Sequence, residues 1–329
     1  MRVSDVGEFG LIKLLSRTLG QSGTRAELLV GIGDDAAAWT TPESVTLATT
    51  DSLVEGIHFP PQTPWKELGW KALAINLSDI AAMGGLPKYA LVALLIPADR
   101  QIADMVQLYE GIAEAAEEFN VTVAGGNVSR APTLSVTIAV IGEGHRSGVL
   151  TRSAARPGDM IAVTGHLGAS AAGQRMLAEK LQFDAETAQF LRKAHLHPQP
   201  RVTEGQLLAT VGVRAAIDIS DGLVSDMTHI CEASHVGAHL NAPKLPIHPL
   251  TKAAFKDKAL HLALSGGEDY ELLFTADTET MKVLQQRTDC PITVIGEVVA
   301  NESKGITIVD EKGDVLCWDQ KGWDHFAVP

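Results

Sequence analysis

Cysteine is scarce in this chain. Cys231, Cys290 and Cys317 are its only three, and none forms a Cys-x-x-Cys pair. So sparse and odd a set excludes a disulfide framework or a thiolate zinc site and points to a reducing compartment. Basic residues are also short: 27 Lys and Arg face 40 Asp and Glu, a formal charge of −13. That balance excludes nucleic acid and anionic membranes as partners, while a phosphorylated substrate stays possible if metal ions bridge the charges. No apolar run is long enough to cross a bilayer and the N-terminus carries no signal-like apolar core, so the expected location is cytoplasmic. The common catalytic signatures are missing too. There is no Gly-x-x-x-x-Gly-Lys-Ser/Thr loop, no protein-kinase motif set, no Gly-x-Ser-x-Gly elbow and no His-Glu-x-x-His.

What is present is the pattern of an α/β protein. A length of 329 residues suggests two domains of about 150 residues each, and 45% hydrophobic content supplies their cores. Apolar periodicity predicts helices over 5–20, 65–84, 99–119, 169–181 and 278–288. Strands are expected near 28–32, 45–50, 89–95, 121–124, 133–142, 160–164, 292–298 and 305–310. The Gly- and charge-rich stretch Glu143 to Gly148 marks a boundary, giving domains 1–146 and 147–329. The segment from His195 to Arg201 reads as a kinked polar connection, its two histidines weighed as metal ligands and set aside.

The chemistry gathers around Gly31-Ile32-Gly33-Asp34-Asp35. An apolar run leads into two glycines and two adjacent carboxylates, and a second run ends in Thr49-Thr50-Asp51. The spacing also fits a dinucleotide fingerprint, but Asp34 and Asp35 would repel a pyrophosphate unless a metal lay between. Asn76 and Asp79 share one face of the small-residue helix. Asp218-Ile219-Ser220-Asp221 follows a short apolar strand, and Ser265-Gly266-Gly267-Glu268-Asp269 joins a helix to a strand. Gly125-Gly126-Asn127 reads as a turn between strands, its glycines allowing close approach to a ligand. Acids at strand ends beside Gly, Ser and Thr suit a hard cation with oxygen ligands, such as Mg²⁺. Phosphoryl transfer needs mainly positioning and charge neutralisation, which such an array can supply.

Five motifs resemble the thiamine-monophosphate kinase family, in order and across nearly the whole chain. They are Gly31 to Asp35, Thr49 to Asp51 with His58, Asn76 to Gly84, Ile217 to Gly222 and Ser265 to Glu271; the tail Lys321 to Phe326 also looks similar. The resemblance implies a two-domain fold like that of aminoimidazole-ribonucleotide synthetase. Its N-terminal domain would form a β-barrel across a homodimer, and its C-terminal domain would be α/β. It implies ATP-dependent conversion of thiamine monophosphate to thiamine diphosphate, with several Mg²⁺ ions per site.

The same resemblance assigns roles. Asp35, Asp51, Asp79 and Asp218 would hold Mg²⁺, with Thr49, Thr50 and Asp221 contributing. Gly126 and Asn127 would approach the ATP phosphates, and Arg152 and Ser220 would contact ATP. His58, Glu268 and Trp323 would hold thiamine phosphate, Glu268 meeting either the aminopyrimidine or the thiazolium and Trp323 stacking on the cationic ring. No catalytic general base is implied, because the acceptor is already an ionised phosphate. Two positions depart from the family: Asn127 where it often has Asp, and Trp323 where many members have Tyr or Phe. Asn keeps an oxygen ligand for metal or ATP but loses a charge. Rival readings are a superfamily relative, a non-catalytic thiamine-phosphate sensor and a metal-dependent phosphohydrolase. Selenophosphate synthetase would need a reactive residue near the N-terminus, yet no Cys precedes Cys231.

Overall fold

The computed structural model describes residues 7–19, 26–42, 44–145, 148–300 and 305–318. The closing tail with Trp323, and the two residues on either side of the expected 146/147 boundary, lie outside them.

The N-terminal half runs α1 (Gly7–Leu19), β1 (Leu28–Val30), β2 (Ala37–Thr40), β3 (Val45–Val54), α2 (Trp65–Ala82), β4 (Leu86–Ile96), α3 (Ile102–Glu118), β5 (Thr122–Arg130) and β6 (Ser135–Glu143). Its six strands form one sheet in the order β1-β2-β3-β6-β4-β5, antiparallel except for the β4–β5 pair. The barrel expected of this half is not closed within the chain. Strands β1 and β5 remain as edges, leaving an open sheet.

The second half runs β7 (Met160–Thr164), α4 (Ala169–Glu179), α5 (Ala185–Leu196), α6 (Val202–Val211), β8 (Ala215–Asp218), α7 (Leu223–Ser234), β9 (Val236–Asn241), α8 (Pro249–Phe255), α9 (Lys258–Ser265), β10 (Leu272–Ala276), α10 (Thr278–Arg287), β11 (Ile292–Ala300) and β12 (Ile306–Val309). Its sheet order is β12-β9-β11-β7-β10-β8, antiparallel except for β12 beside β9.

Helix α2 ties the halves together. Every residue from Leu68 to Ala82 is buried except Asp79. One side packs on β3 and β6, and other sides meet α3, α6 and β8. Small residues make this possible: a Cβ on Gly205 of α6 would lie 2.1 Å from the Ala81 carbonyl oxygen. Leu68, Leu73, Leu77 and Ile80 are fully buried, each contributing about 1.5–3 kcal/mol relative to exposure. One apolar cluster accordingly contains residues of both halves.

One expected loop turns out to be regular structure, and part of a second does. Gly125 to Arg130 is not a turn but the continuation of β5, hydrogen-bonded along β4. A Cβ at Gly126 would lie 1.8 Å from the Val92 carbonyl, so the close approach its glycine permits is to a neighbouring strand. Of the kinked connection expected from His195 to Arg201, residues 197–201 are irregular, while His195 and Leu196 form the buried last turn of α5, and His197 stacks on Trp70 with ring centroids 3.6 Å apart.

Candidate functional site

Strand β3 continues past its apolar run, so Thr49, Thr50 and Asp51 lie within it rather than at its end. Alternation places Thr49 and Asp51 on the α2 side, with the buried Leu47 and Leu53. There Thr49 Oγ1 donates to Asp79 Oδ2 at 2.6 Å, and the Asp51 amide donates to Asn76 Oδ1 at 2.8 Å. From the other half, Asp218 at the end of β8 accepts a 2.6 Å bond from Ser78 Oγ of α2. Asp35, Asp79 and Asp218 thereby bring carboxylate oxygens within 4.8 Å of one another.

The charge balance of this cluster is unfavourable by itself. Burial first, then the charges of Asp51, Asp218 and Asp35, push the Asp79 carboxyl well above its ordinary range. Asp218 is raised to about 8 by burial and then by Asp35, and Asp34 to about 6 by burial and then by Asp35. Burial also raises Asp35, against the pull of Arg152, whose Nη2 donates to Asp35 Oδ1 at 2.6 Å. Asp35 Oδ2 is buried with no hydrogen-bond partner among the described residues. An all-oxygen set that is mutually repelled and retains an unused buried oxygen fits a hard divalent cation.

Other expected residues fall elsewhere. Asp221 joins Asp226 and His229 in a second group at the start of α7, where Asp226 accepts from the backbone amides of Asp221 and Gly222. Arg152, in a short helical turn, is engaged with Asp35 and Asp34; to meet a phosphate it would have to share or leave those carboxylates. The Ser220 carbonyl accepts from the Glu268 amide at 2.8 Å, tying the Asp218–Asp221 turn to the glycine-pair loop. In that loop Glu268 pairs with Lys71 Nζ at 2.7 Å. His58 Nδ1 accepts from the Val54 amide at 3.0 Å, so in the neutral ring the proton sits on Nε2.

Besides Asp221, two further members of the expected metal set are not brought to the cluster. Thr50 points to the other side of β3 and donates to the Ile138 carbonyl. Asn127 is exposed on edge strand β5, in the cross-strand row of Ala93, Thr137 and Ser52, on the same far side as Thr50. Three strand spacings put its backbone about 14 Å from β3. Asn127 Nδ2 instead donates to Ser129 Oγ at 3.0 Å.

Comparison with known proteins identifies the family and the fold. Residues 33–143 match the family described as AIR synthase related protein, N-terminal domain, and residues 156–309 match its C-terminal domain counterpart. A thiamine-monophosphate kinase of Escherichia coli strain K12 is 41% identical over 329 residues, covering 98% of this chain and 99% of the relative. The chain belongs to the thiamine-monophosphate kinase family. A Bacillus subtilis member is 39% identical, covering 97% of this chain and 99% of the relative. The solved structure of AaThiL complexed with AMPPCP and TMP superposes with a TM-score of 0.87 at 34% identity, covering 99% of each chain.

Membership does not by itself reveal every residue around the site. Lys71, Ser78, Asp226 and His229 escaped the sequence reading. Asp226 and His229 sit three apart, a same-face spacing that a search for helical pairs would have found. Lys71 and Ser78 lie in the apolar and small-residue run of α2 that also carries Asn76 and Asp79, where a polar side chain in such a run was the available signal. The adjacent acids of the glycine-pair loop also part company. Asp269 accepts from the Gly168 and Ser170 amides at the start of α4, and Glu271 pairs with Arg201 through two bonds of 2.5 and 2.6 Å.

Proposed function

We propose that this chain transfers the γ-phosphate of ATP to thiamine monophosphate, giving ADP and thiamine diphosphate, the final step of thiamine diphosphate biosynthesis. The observation that carries the reading is the convergence of Asp35, Asp79 and Asp218 from three distant segments, in a chain that matches a relative solved with AMPPCP and TMP along 99% of its length. Asp35, Asp51, Asp79 and Asp218 would hold several Mg²⁺ ions, with Thr49 and Asp221 beside them. Bound there, the ions supply positive charge that offsets the repulsion between two phosphorylated reactants.

The chain's own residues do the positioning. His58, protonated on Nε2, can donate to the acceptor phosphate while Glu268 takes its organic end. Trp318 donates to Ser265 Oγ at 3.2 Å, so the chain leaves the described region three residues from Glu268. Trp323, outside the described residues, is the proposed stacking partner of the cationic ring. Ser220 and Arg152 are the proposed ATP contacts. Transfer is read as direct and in-line. A phosphorylated protein trapped from γ-labelled ATP, and able to pass its label to acceptor, would overturn that.

We also propose a cytoplasmic homodimer without nucleic-acid or membrane partners, dividing at about residue 146. Tyr89, Leu91 and Leu95 are exposed along one face of β4, an apolar surface for a second copy to cover as two open sheets close a barrel. A second copy would also supply the Gly126 and Asn127 that this chain holds too far from its own carboxylates. Analytical ultracentrifugation showing a monomer would sink this part alone.

The direct test is incubation with ATP, MgCl₂ and thiamine monophosphate, followed by chromatography for thiamine diphosphate, with an acceptor-free control. Stoichiometric ADP and thiamine diphosphate are expected. Phosphate release in both tubes would mean a hydrolase, and binding without turnover a sensor.

A further inference from the structure

Lys71 is the one charged side chain in the buried run from Leu68 to Ser78 of α2. Its neighbours along the helix are apolar or small, so packing alone gives no reason for an amine there. Its side chain is 5% exposed and its ammonium meets Glu268 Oε1 at 2.7 Å. The other carboxylate oxygen, Oε2, lies 3.4 Å from His195 Nδ1. The carboxylate beside it favours the tautomer with the proton on Nδ1, so a neutral His195 faces Glu268 as a donor. Burial and then the Lys71 charge lower the His195 ring to about 3, which keeps it neutral. Ser170 Oγ, 3.3 Å from the same nitrogen, steadies the ring. His58 also lowers the Glu268 carboxyl, and the Glu268 charge in turn raises Asp269 and Tyr270.

The loop that delivers Glu268 is itself constrained. Glu268 and Tyr270 both hold positive φ, at 64° and 51°. Their amides donate to the carbonyls of Ser220 and Ile219 at 2.8 and 2.9 Å. Gly267 allows that contact, since its Cβ would lie 2.2 Å from the Ser220 oxygen. Strain held by surrounding contacts is a mark of a positioned group. Glu268 keeps a 24% exposed side chain, so its outer side is open to a ligand while its inner side is fastened.

We propose that Lys71 is a positioning residue for the acceptor: its ammonium, with the His195 ring, fixes the orientation of Glu268, the residue that meets thiamine monophosphate. The proposal rests on the kinase reading above. Lys71 itself does not touch either substrate. A buried ion pair is seldom worth its desolvation in stability alone, so its use is in the geometry it imposes.

The test is a double-mutant cycle of Lys71→Met, Glu268→Gln and the double variant, with Lys71→Arg as the conservative control, read as separate KM values. Lys71→Met is expected to raise KM for thiamine monophosphate about 10–100-fold, the scale of a lost charge-assisted bond, and to leave KM for ATP within about twofold. Lys71→Arg should recover part of the loss. The double variant should be no worse than Glu268→Gln, because Lys71 acts only through Glu268. Losses that multiply, an equal rise in KM for ATP, or an unchanged acceptor KM would each overturn the proposal. If Lys71→Met fails to fold because a buried carboxylate is left unpaired, the double variant removes that charge and its comparison with Glu268→Gln still decides. A wild type that binds thiamine monophosphate without turnover would sink the kinase reading, and the same cycle read by calorimetric binding would still judge Lys71. A wild type that does not bind it overturns both.

Discussion

Two groups of buried acids meet at the junction of the halves, and they are balanced differently. In the glycine-pair loop every acid has its own partner: Lys71 for Glu268, the Gly168 and Ser170 amides for Asp269, Arg201 for Glu271. In the other group Asp35, Asp79 and Asp218 crowd together, with Arg152 as the cation that eases Asp35 and Asp218. Partnered acids hold structure or fix a ligand's orientation. Crowded acids store repulsion that a cation from solution can relieve. The same residue type thus serves two purposes, and the neighbouring charge decides which.

The sharpest way to break the comparison is Asp79→Asn. Turnover should fall on the order of 10³-fold or more, yet the metal-free protein should melt no earlier, because a repelled carboxylate has gone. A modest loss of rate, or a collapsed circular-dichroism spectrum, would place Asp79 among the partnered, structural acids. On the other side, Arg201→Met strips Glu271 of its cation. Urea denaturation should show a loss of about 3 kcal/mol; under about 1 kcal/mol would mean Glu271 is not held by that pair.

A pH experiment sharpens the contrast. The Asp218 and Asp34 carboxyls are raised to about 8 and about 6 in the fold, against an unfolded value of about 4. The folded state therefore favours their protonated forms. Their contribution to stability is fully present below pH of about 4 and is lost as pH climbs through these folded values. Without metal, the melting temperature should fall between about pH 5 and 8. MgCl₂ should raise it more at the alkaline end than matched NaCl does. An equal gain at both ends would detach the cluster from divalent-cation binding. The smallest effect is expected of Asp269→Asn at neutral pH. Its carboxyl is raised to about 8 by burial, so little charge is lost, but each of its oxygens accepts a backbone N–H and the Asn NH2 group leaves one of those donors without an acceptor. A loss of about 1–2 kcal/mol is expected; a larger one would mean the ionised form matters.

Much of this was legible in the chain. Long periodic segments announced themselves: α2, predicted over 65–84, runs Trp65–Ala82, and α10, predicted over 278–288, runs Thr278–Arg287. Short apolar runs flanked by Gly and acids pointed to the site at Asp35, Asp79 and Asp218. The reading failed where local signals conflict with tertiary pairing. Two glycines looked like a turn, but β4 supplied a strand's hydrogen bonds to Gly125 and Gly126. His195 looked like part of a polar connection, but α4 and Glu268 close over it. Thr50 looked equivalent to Thr49, though one residue along a strand reverses the face.

Sequence alone therefore determined the family, the main helices and the acidic motifs, because these rest on residue identity and on periods of 3.6 and 2 that need no knowledge of neighbours. Which acids share a cluster was decided only by the tertiary structure. Asp35, Asp79 and Asp218 are dozens of residues apart, and it is the packing of α2 between two sheets that brings them within 4.8 Å. The same packing buries Lys71 beside Glu268. Charge interactions depend on distance and on the exclusion of water, and neither is written along the chain.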